Sequence, residues 1–284
     1  MKAGHRHRIE QATKQRLARV EYLPGGCVGE VWQAHFDEGP PVVAKCAVGA
    51  DNLHIEAYML RYLKDHSKLP VPQVLGAGPD LLILEMIGND GSHGAEVDRD
   101  AADHLATLHE ITVSKFGLDK DTLIGPLAQL NTWSDSWIDF YANQRLRPLA
   151  ELALSQSKLP VEIYTRLIRL CDGLGQWLVE PKSPSLLHGD VWGGNVLTKS
   201  NRIAAFIDPA IYYGDREAEL AYTTLFNSFG DQFLDRYQDH HKLDGDFFKT
   251  RLPIYHLYPL LVHVVLFGGS YVVELNDILK RYVG

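Results

Sequence analysis

The residues best suited to chemistry lie in one stretch, 186–220, with the sequence LLHGDVWGGNVLTKSNRIAAFIDPAIYYGDREAEL. Asp190 is followed five positions later by Asn195, and Asp208 ends an apolar run. One aspartate can orient an acceptor hydroxyl and take up its proton, while an asparagine and a second aspartate offer the oxygen ligands that Mg²⁺ prefers. The order and spacing predict a phosphoryl-transfer loop, with Asp190 as catalytic base and Asn195 and Asp208 as metal ligands.

Four side chains around this loop have roles that the sequence leaves open. His188 is predicted to hold the loop by hydrogen bonds. Trp192 either packs against the body of the protein or offers an aromatic face to a sugar or an amine-linked group. Asp215 and Glu217 begin an acidic helix, where they cap its N-terminus or bind a substrate amine.

A glycine-rich turn near the N-terminus separates two short apolar segments and predicts a β-hairpin. The pattern G-x-x-G-x-V runs from Gly26 to Val31, with Pro24 in the place of an earlier glycine. The turn is either a plain hairpin or a cover for a phosphate chain, bound through its backbone N–H groups. Its candidate nucleotide-binding residues are Gly25, Gly26, Cys27, Val28 and Gly29. Cys27 is either a small side chain tolerated in a loop or a redox-sensitive thiol.

A lysine in the next strand and a glutamate in the following helix extend this pattern. Lys45 lies in the strand 41–48, and Glu56 lies eleven positions later in an amphipathic helix, 53–66. Either residue could be an ordinary surface group. With the glycine turn before them, we expect an ion pair in which Glu56 fixes Lys45 for the α- and β-phosphates of ATP.

The apolar strand 81–87 is followed by a break at 88–92, GNDGS, that predicts a flexible linker. The backbone of Glu85, Met86 and Ile87 is a candidate for binding adenine. An ordinary buried strand is the alternative.

The periodicity of apolar residues changes along the chain from that of strands to that of helices. Before residue 88 the sequence predicts a polar helix to about Leu17, five strands and the 53–66 helix; from residue 97 the periodicity is helical. A helix over 132–147 carries Trp133, Trp137 and Tyr141 at a spacing typical of core. The prediction is an α+β protein with a small N-lobe, 1–87, holding a five-stranded antiparallel sheet and one helix, and a larger, mainly helical C-lobe, 88–284.

Composition narrows the function classes. A net charge of −8 and a pI near 5.9 argue against nucleic-acid binding. Three cysteines without metal spacing suggest a reducing, cytoplasmic setting. The N-terminus lacks the apolar core of a signal peptide, and the most apolar segment, 254–267, is too short to span a membrane. We expect a cytoplasmic monomer or weak dimer.

Three segments resemble the fructosamine-3-kinase (ketosamine-3-kinase) family of the protein-kinase-like, aminoglycoside-phosphotransferase-like fold: LLHGDVWGGNVL, FIDPAIYYGDREAELA and FGLDKDTLIGPLAQLNTWSDSWIDFYANQRLRP at 116–148. This resemblance implies a two-lobed kinase fold with ATP and Mg²⁺. It also implies phosphorylation of a small-molecule or protein-bound ketosamine at its 3-hydroxyl, after which the adduct decomposes and releases the amine. Ribulosamines, erythrulosamines and fructosamines are the expected acceptors.

Two other functions stay open at this stage. An aminoglycoside- or choline-type kinase would use the same catalytic loop on another acceptor. A nucleotide-binding pseudokinase would have lost turnover, although the complete set of Lys45, Asp190, Asn195 and Asp208 argues against this.

Overall fold

A computed structural model describes residues 1–24, 29–49, 52–226 and 228–284. The first five strands alternate in direction and form one antiparallel sheet: β1 (Leu17–Leu23), β2 (Glu30–Phe36), β3 (Val42–Cys46), β4 (Val74–Ala77) and β5 (Leu81–Glu85). Their spatial order is β1-β2-β3-β5-β4, so the lysine-bearing β3 is central. In β3, Val42, Ala44 and Cys46 are buried on one face of the sheet, as strand alternation requires.

Two helices pack on this sheet, and they correspond to the predicted polar helix before Leu17 and the predicted helix over 53–66. The first, α1 (Ala3–Thr13), buries Ile9 against the sheet, and its His5 and Arg8 both bond Asp80. The second, α2 (Leu53–His66), buries an apolar stripe of Leu53, Ala57, Met59, Leu60 and Leu63. Three residues separate its last residue, His66, from the Pro70-Val71-Pro72 segment.

The segment after β5 leads into α3 (Ala95–His109) and is held by hydrogen bonds to a hairpin of β9 (Val196–Lys199) and β10 (Arg202–Phe206). The Asp90 N–H donates to the Thr198 carbonyl at 2.9 Å, and Asn89 Oδ1 accepts from the Thr198 N–H at 3.1 Å. The predicted break at 88–92 is therefore tied to the hairpin that follows the catalytic loop.

The rest of the chain is mainly helical. Its short strands are β6 (Thr122–Ile124), β7 (Leu127–Gln129), β8 (Ser185–Leu187) and β11 (Tyr212–Gly214). Its helices are α4 (Trp137–Phe140), α5 (Arg147–Ser155), α6 (Val161–Asp172), α7 (Arg216–Thr223), α8 (Asp231–His240), α9 (Leu252–Phe267) and α10 (Ser270–Val283). Helix α9 is buried on almost every side, which explains why its sequence is apolar all round.

The predicted helix over 132–147 starts too early. Ser134 is extended and bridges Phe116, and α4 begins only after Ser136, whose hydroxyl caps it by accepting from the Asp139 N–H. A π-helical turn, Tyr141–Leu146, then joins α4 to α5. Trp133 therefore lies outside the helix and is 39 % exposed.

Two large clusters of buried side chains stabilise the fold. One centres on α5, α6, α9 and α10, and the other joins α2 to α3, α8 and the strands around the catalytic loop. The second cluster spans both lobes, so the apolar contacts of α2 reach into the helical lobe. Within the described ranges, no helix is long and apolar enough to cross a membrane.

Candidate active site

The loop that carries Asp190 leaves a short buried strand and is held by the segment after Asp208. Strand β8 pairs antiparallel with β11, and the Ala210 N–H donates to the His188 carbonyl at 2.7 Å. Gly189 has φ of +88°, and a Cβ there would overlap the Ala210 carbonyl. Only glycine fits this turn without displacing the neighbouring segment.

A buried carboxylate holds the start of the loop. Glu219, on α7, accepts hydrogen bonds from the His188 N–H at 3.3 Å and the Gly189 N–H at 2.5 Å. The same carboxylate lies 2.8 Å from His109 Nε2, and His109 Nδ1 lies 2.7 Å from the Tyr237 hydroxyl. Burial raises the pKa of Glu219, but the hydrogen bond and charge of His109 and the loop N–H groups outweigh it and hold the pKa below its ordinary value. The ionised form thus orients the catalytic loop.

Asp190 and Asn195 meet through their side chains. Asn195 Nδ2 donates to the Asp190 backbone carbonyl at 2.9 Å and to Asp190 Oδ2 at 2.8 Å. Asp190 Oδ1 is enclosed and has no well-formed hydrogen bond among the described residues, although the Tyr222 hydroxyl approaches the carboxylate. An enclosed, unpartnered carboxylate oxygen is destabilising by itself, so its presence fits a group that a substrate hydroxyl completes.

Burial also prepares Asp190 for proton transfer. It raises the pKa of Asp190 to about 7, and the negative charge of Asp208 acts in the same direction, while the nearby Tyr222 hydroxyl and the hydrogen bond from Asn195 oppose the rise. A base with a pKa near the working pH is effective in accepting a proton.

Lys45 joins the sheet of the N-lobe to Asp208. Its Nζ lies 2.7 Å from Glu56 Oε1 and also bonds Asp208 Oδ1, so the two carboxylates share one ammonium. Burial disfavours the ammonium, but Asp208 and Glu56 outweigh it and raise the pKa of Lys45. Burial raises the pKa of Glu56. The expected Lys45–Glu56 pair is present, and Asp208 completes it.

The donor atoms around Asp208 suit a hard cation. Because Asn195 directs its Nδ2 at Asp190, its Oδ1 is the amide atom left to bind a cation. The Ile207 N–H donates to the Asn195 carbonyl at 2.9 Å, which places Asp208 beside Asn195. Asp208 has φ of +54°, uncommon for a residue with a side chain, and its side chain is 41 % exposed. One amide and one carboxylate oxygen are a donor set that fits Mg²⁺.

Only part of the predicted nucleotide-binding set lies in the described ranges. Gly25, Gly26, Cys27 and Val28 lie outside the described residues. Gly29 has φ of +82°, and a Cβ there would come 2.5 Å from the Cys46 carbonyl, so β2 can approach β3 closely at this point.

The three linker candidates lie where β5 ends. The Glu85 N–H donates to the Gln73 carbonyl at 2.9 Å, and the Glu85 carboxylate accepts from the Gln73 N–H at 3.2 Å. Met86 and Ile87 follow the strand and are partly buried. Their role in binding adenine stays a prediction.

The three predicted substrate residues are placed differently from one another. Trp192 lies within the catalytic loop, with its ring against Gly194, and it packs against the first buried cluster. Asp215 is buried, caps α7 by accepting from the Glu217 N–H at 3.0 Å, and accepts from the Tyr255 hydroxyl at 2.6 Å. Glu217 forms a two-bond ion pair with Arg251 at 2.6 and 2.9 Å. The geometry thus gives Asp215 and Glu217 structural partners, and their contact with substrate stays a prediction.

Sequence reasoning did not find Glu219, His109 or Tyr222 as parts of the site. His109 is buried. The available signal was an acidic residue within a mostly apolar helical segment, since Glu219 lies in the run 218–223, which is buried throughout. A buried acid needs a partner, but its partner lies 110 positions away in the sequence.

Together these features define a class of protein: a two-lobed phosphotransferase with a lysine–glutamate pair on the sheet side of a cleft and an aspartate–asparagine loop on the helical side. Solved structures agree. An ADP- and hygromycin-B-bound aminoglycoside phosphotransferase, APH(4)-Ia, is similar with a TM-score of 0.69 over 100 % of both chains, although only 18 % of residues are identical. That likeness confirms the predicted protein-kinase-like fold.

The chain belongs to the fructosamine kinase family, whose model matches residues 1–284. It is 32 % identical over 282 residues to a "Probable ketoamine kinase YniA" of Escherichia coli (strain K12), covering 96 % of this chain and 95 % of that protein. It is 30 % identical over 288 residues to a chloroplastic protein-ribulosamine 3-kinase of Arabidopsis thaliana, covering 97 % and 86 %. A crystal structure described as a "putative fructosamine-3-kinase" from Thermobifida fusca YX-ER1 has a TM-score of 0.88 and 30 % identity, covering 97 % of this chain and 96 % of that one. The resemblance stated from the sequence is confirmed.

Proposed function

We propose that this protein is an ATP-dependent kinase that phosphorylates the 3-hydroxyl of ketosamines, the adducts of sugars with amines, and so acts in deglycation. The observation that carries the proposal is the presence of the Lys45–Glu56 and Asp190–Asn195 contacts in a member of the fructosamine kinase family. The relatives described as ketoamine and ribulosamine kinases support the acceptor class.

Each part of the site has a defined task in this proposal. Asp190 binds the acceptor hydroxyl and takes its proton as the oxygen attacks the γ-phosphorus of ATP. Lys45, held by Glu56, binds the phosphate chain. Asn195 and Asp208 would hold Mg²⁺, which neutralises phosphate charge when bound.

We infer further that the N-lobe is formed by residues 1–87 and the C-lobe by 88–284. The boundary follows β5 and precedes the segment bonded to β9. ATP would lie between them, with Gly25 to Gly29 over its phosphates and Glu85, Met86 and Ile87 at its adenine. A small or protein-bound ketosamine is the proposed partner, and a cytoplasmic location fits that role.

An acceptor panel tests the proposal directly. Ribulosamine, erythrulosamine, fructosamine, an aminoglycoside and choline would be incubated with ATP and Mg²⁺, and ADP formation would be measured. We expect turnover on at least one ketosamine, with the product phosphorylated at O3 by NMR. Turnover on the aminoglycoside or choline alone would reject the proposal, since the likeness to aminoglycoside kinases establishes the fold alone.

A second experiment tests the catalytic assignment. Asp190→Asn keeps the size of the side chain and its contact with Asn195 but cannot accept a proton. We expect the turnover rate to fall by about 10²–10⁴-fold while binding of a non-hydrolysable ATP analogue stays within about twofold. Unchanged turnover would remove Asp190 from the mechanism.

A further inference from the structure

A row of aromatic rings continues from the catalytic loop across the end of α9. We call this row the aromatic strip. Its members are Trp192, Phe226, His263, Phe267 and Tyr271. The Trp192 and Phe226 ring centroids are 6.1 Å apart, those of Phe226 and His263 4.6 Å, and those of His263 and Tyr271 4.8 Å. Because an extended residue spans only about 3.5 Å, the strip is longer than one residue of a bound chain.

The strip is open to solvent although its rings contact one another. Phe226 is 38 % exposed and Phe267 is 59 % exposed, while the other three rings are partly buried. Phe226 also has φ of +59°, an unfavourable conformation for a bulky residue. Its backbone therefore keeps the ring between Trp192 and His263 at a cost in conformational energy.

His263 gives the strip a hydrogen-bond acceptor. Its Nδ1 lies 2.8 Å from the Pro259 carbonyl, so Nδ1 carries the hydrogen and Nε2 keeps its lone pair in the neutral ring. Burial lowers the pKa of His263, which favours that neutral form. Glu274, on α10, is close enough to act on His263 by its charge. Aromatic faces, a neutral imidazole nitrogen and a nearby carboxylate together favour a ligand that is aliphatic and positively charged.

We propose that the aromatic strip binds the amine-bearing half of a ketosamine, formed by the stem of a lysine side chain and the adjoining peptide. This inference rests on the proposed function, because it requires the sugar hydroxyl to be at Asp190. Trp192, three residues from Gly189 and two from Asp190, joins the strip to the catalytic loop. The net charge of −8 also favours a peptide that carries lysine.

Two ketosamines that share one sugar test this assignment. The first is a ribulosamine on the lysine ε-amine of a short peptide blocked at both ends, and the second is a ribulosamine on methylamine. Phe226→Ala and Tyr271→Ala should lower the ratio of kcat/KM for the peptide adduct to kcat/KM for the methylamine adduct on the order of tenfold, through KM. Tyr271→Phe keeps the ring and should keep the ratio.

Phe248→Ala is the matched control. Phe248 is 41 % exposed and lines a cavity of about 750 Å³ between the start of α9 and α10, which includes Glu274 but none of the five residues of the aromatic strip. Its substitution should leave the ratio unchanged. If the ratio fell for Phe248→Ala but not for the strip variants, the peptide would be assigned to that cavity and the inference would be overturned.

The remaining outcomes separate the two proposals. Turnover of both adducts with an unchanged ratio in the strip variants would overturn this inference and leave the proposed function intact. An equal loss of kcat/KM for both adducts would also overturn the inference, since the strip would then support the fold and not bind the peptide. No turnover of either adduct by the unaltered protein, together with none on the other ketosamines of the acceptor panel, would overturn both.

Discussion

At the scale of single residues, the site depends on carboxylates held in three different ways. Asp190 is partnered by an amide, Asp208 by a lysine, and Glu219 by a histidine and two backbone N–H groups. Burial raises the pKa of Asp190, whereas the hydrogen-bond donors His109 and the Gly189 N–H lower the pKa of Glu219. The first can therefore accept a proton, while the second stays ionised and supports the loop.

Glu219→Gln tests that support. Glutamine can offer one acceptor oxygen, and its amide N–H₂ would face a backbone donor. We expect the free energy of unfolding to fall by about 2–4 kcal/mol, because buried donors lose their partner. We also expect kcat to fall while KM for ATP changes little. Urea unfolding and steady-state kinetics measure both. Glu110→Gln, at an exposed neighbour of His109, should leave both unchanged. An unaltered kcat for Glu219→Gln would show that the loop holds its geometry without this contact.

At the scale of elements, α2 is joined to the helical lobe as well as to the sheet. The Tyr62 and Tyr213 hydroxyls lie 3.1 Å apart, and α2 also packs near β6. Helix α2 carries Glu56, so these contacts fix the partner of Lys45 from both sides. Lys120 Nζ lies 4.8 Å above the Tyr58 ring, one turn earlier on the same helix.

Tyr62→Phe removes the hydroxyl contact without removing the ring. We expect the free energy of unfolding to fall by about 1 kcal/mol, the usual value of one partly buried hydrogen bond. Tyr58→Phe is the matched control, because phenylalanine keeps the face beneath Lys120. A thermal-melt series of both variants gives the comparison. Equal effects of the two substitutions would argue against a specific Tyr62–Tyr213 bond.

The ion pairs that hold α1 to Asp80 make the stability of the fold depend on pH. The hydrogen bonds from Arg8 and His5 hold the pKa of Asp80 well below its ordinary value. A carboxyl with a depressed pKa in the folded state contributes stability above its unfolded pKa of about 3.9, and that stability is lost as pH falls further. Because Asp80 is partly exposed, the contribution is at most about 1 kcal/mol. Asp80→Asn should therefore lower the urea midpoint by more at pH 7 than at pH 2. A similar loss at both pH values would contradict this account.

The sequence predicted the elements whose signals are local. The strands around Lys45 and Asp208 and helix α2 follow from short periodic segments, and the Asp190–Asn195–Asp208 spacing follows from one loop. Contacts that join distant residues could not be predicted in this way. The start of α4 depends on Ser134 bridging Phe116, and the role of Glu219 depends on His109. No local pattern encodes either partner.

At the scale of the whole molecule, the two lobes meet through contacts of long sequence separation. Lys45 and Asp208 are 163 positions apart, and Tyr62 and Tyr213 are 151 apart. ATP with its metal would bind where the first of these contacts lies. Nucleotide binding is therefore expected to stabilise the complete fold.

Nucleotide and metal should act together on that stability. A ligand that binds only the folded state at 100 times its Kd stabilises it by about 2.7 kcal/mol. We expect an ATP analogue to raise the Tm clearly with Mg²⁺ and only slightly with EDTA, and EDTA to abolish turnover. In Asp208→Asn the effect of Mg²⁺ on Tm should be much smaller. Full turnover in EDTA would exclude the proposed metal role of Asn195 and Asp208.

The short segment between Asp208 and α7 has a consequence for control of the enzyme. Protein kinases often place a long loop here that is ordered by phosphorylation. In this chain residues 209–215 are buried throughout, and β11 within them is paired to β8. A modifying enzyme cannot reach Tyr212 or Tyr213 without unfolding the strand. The catalytic centre therefore has no covalent on–off switch at this segment, and we expect flux through it to follow the supply of adduct.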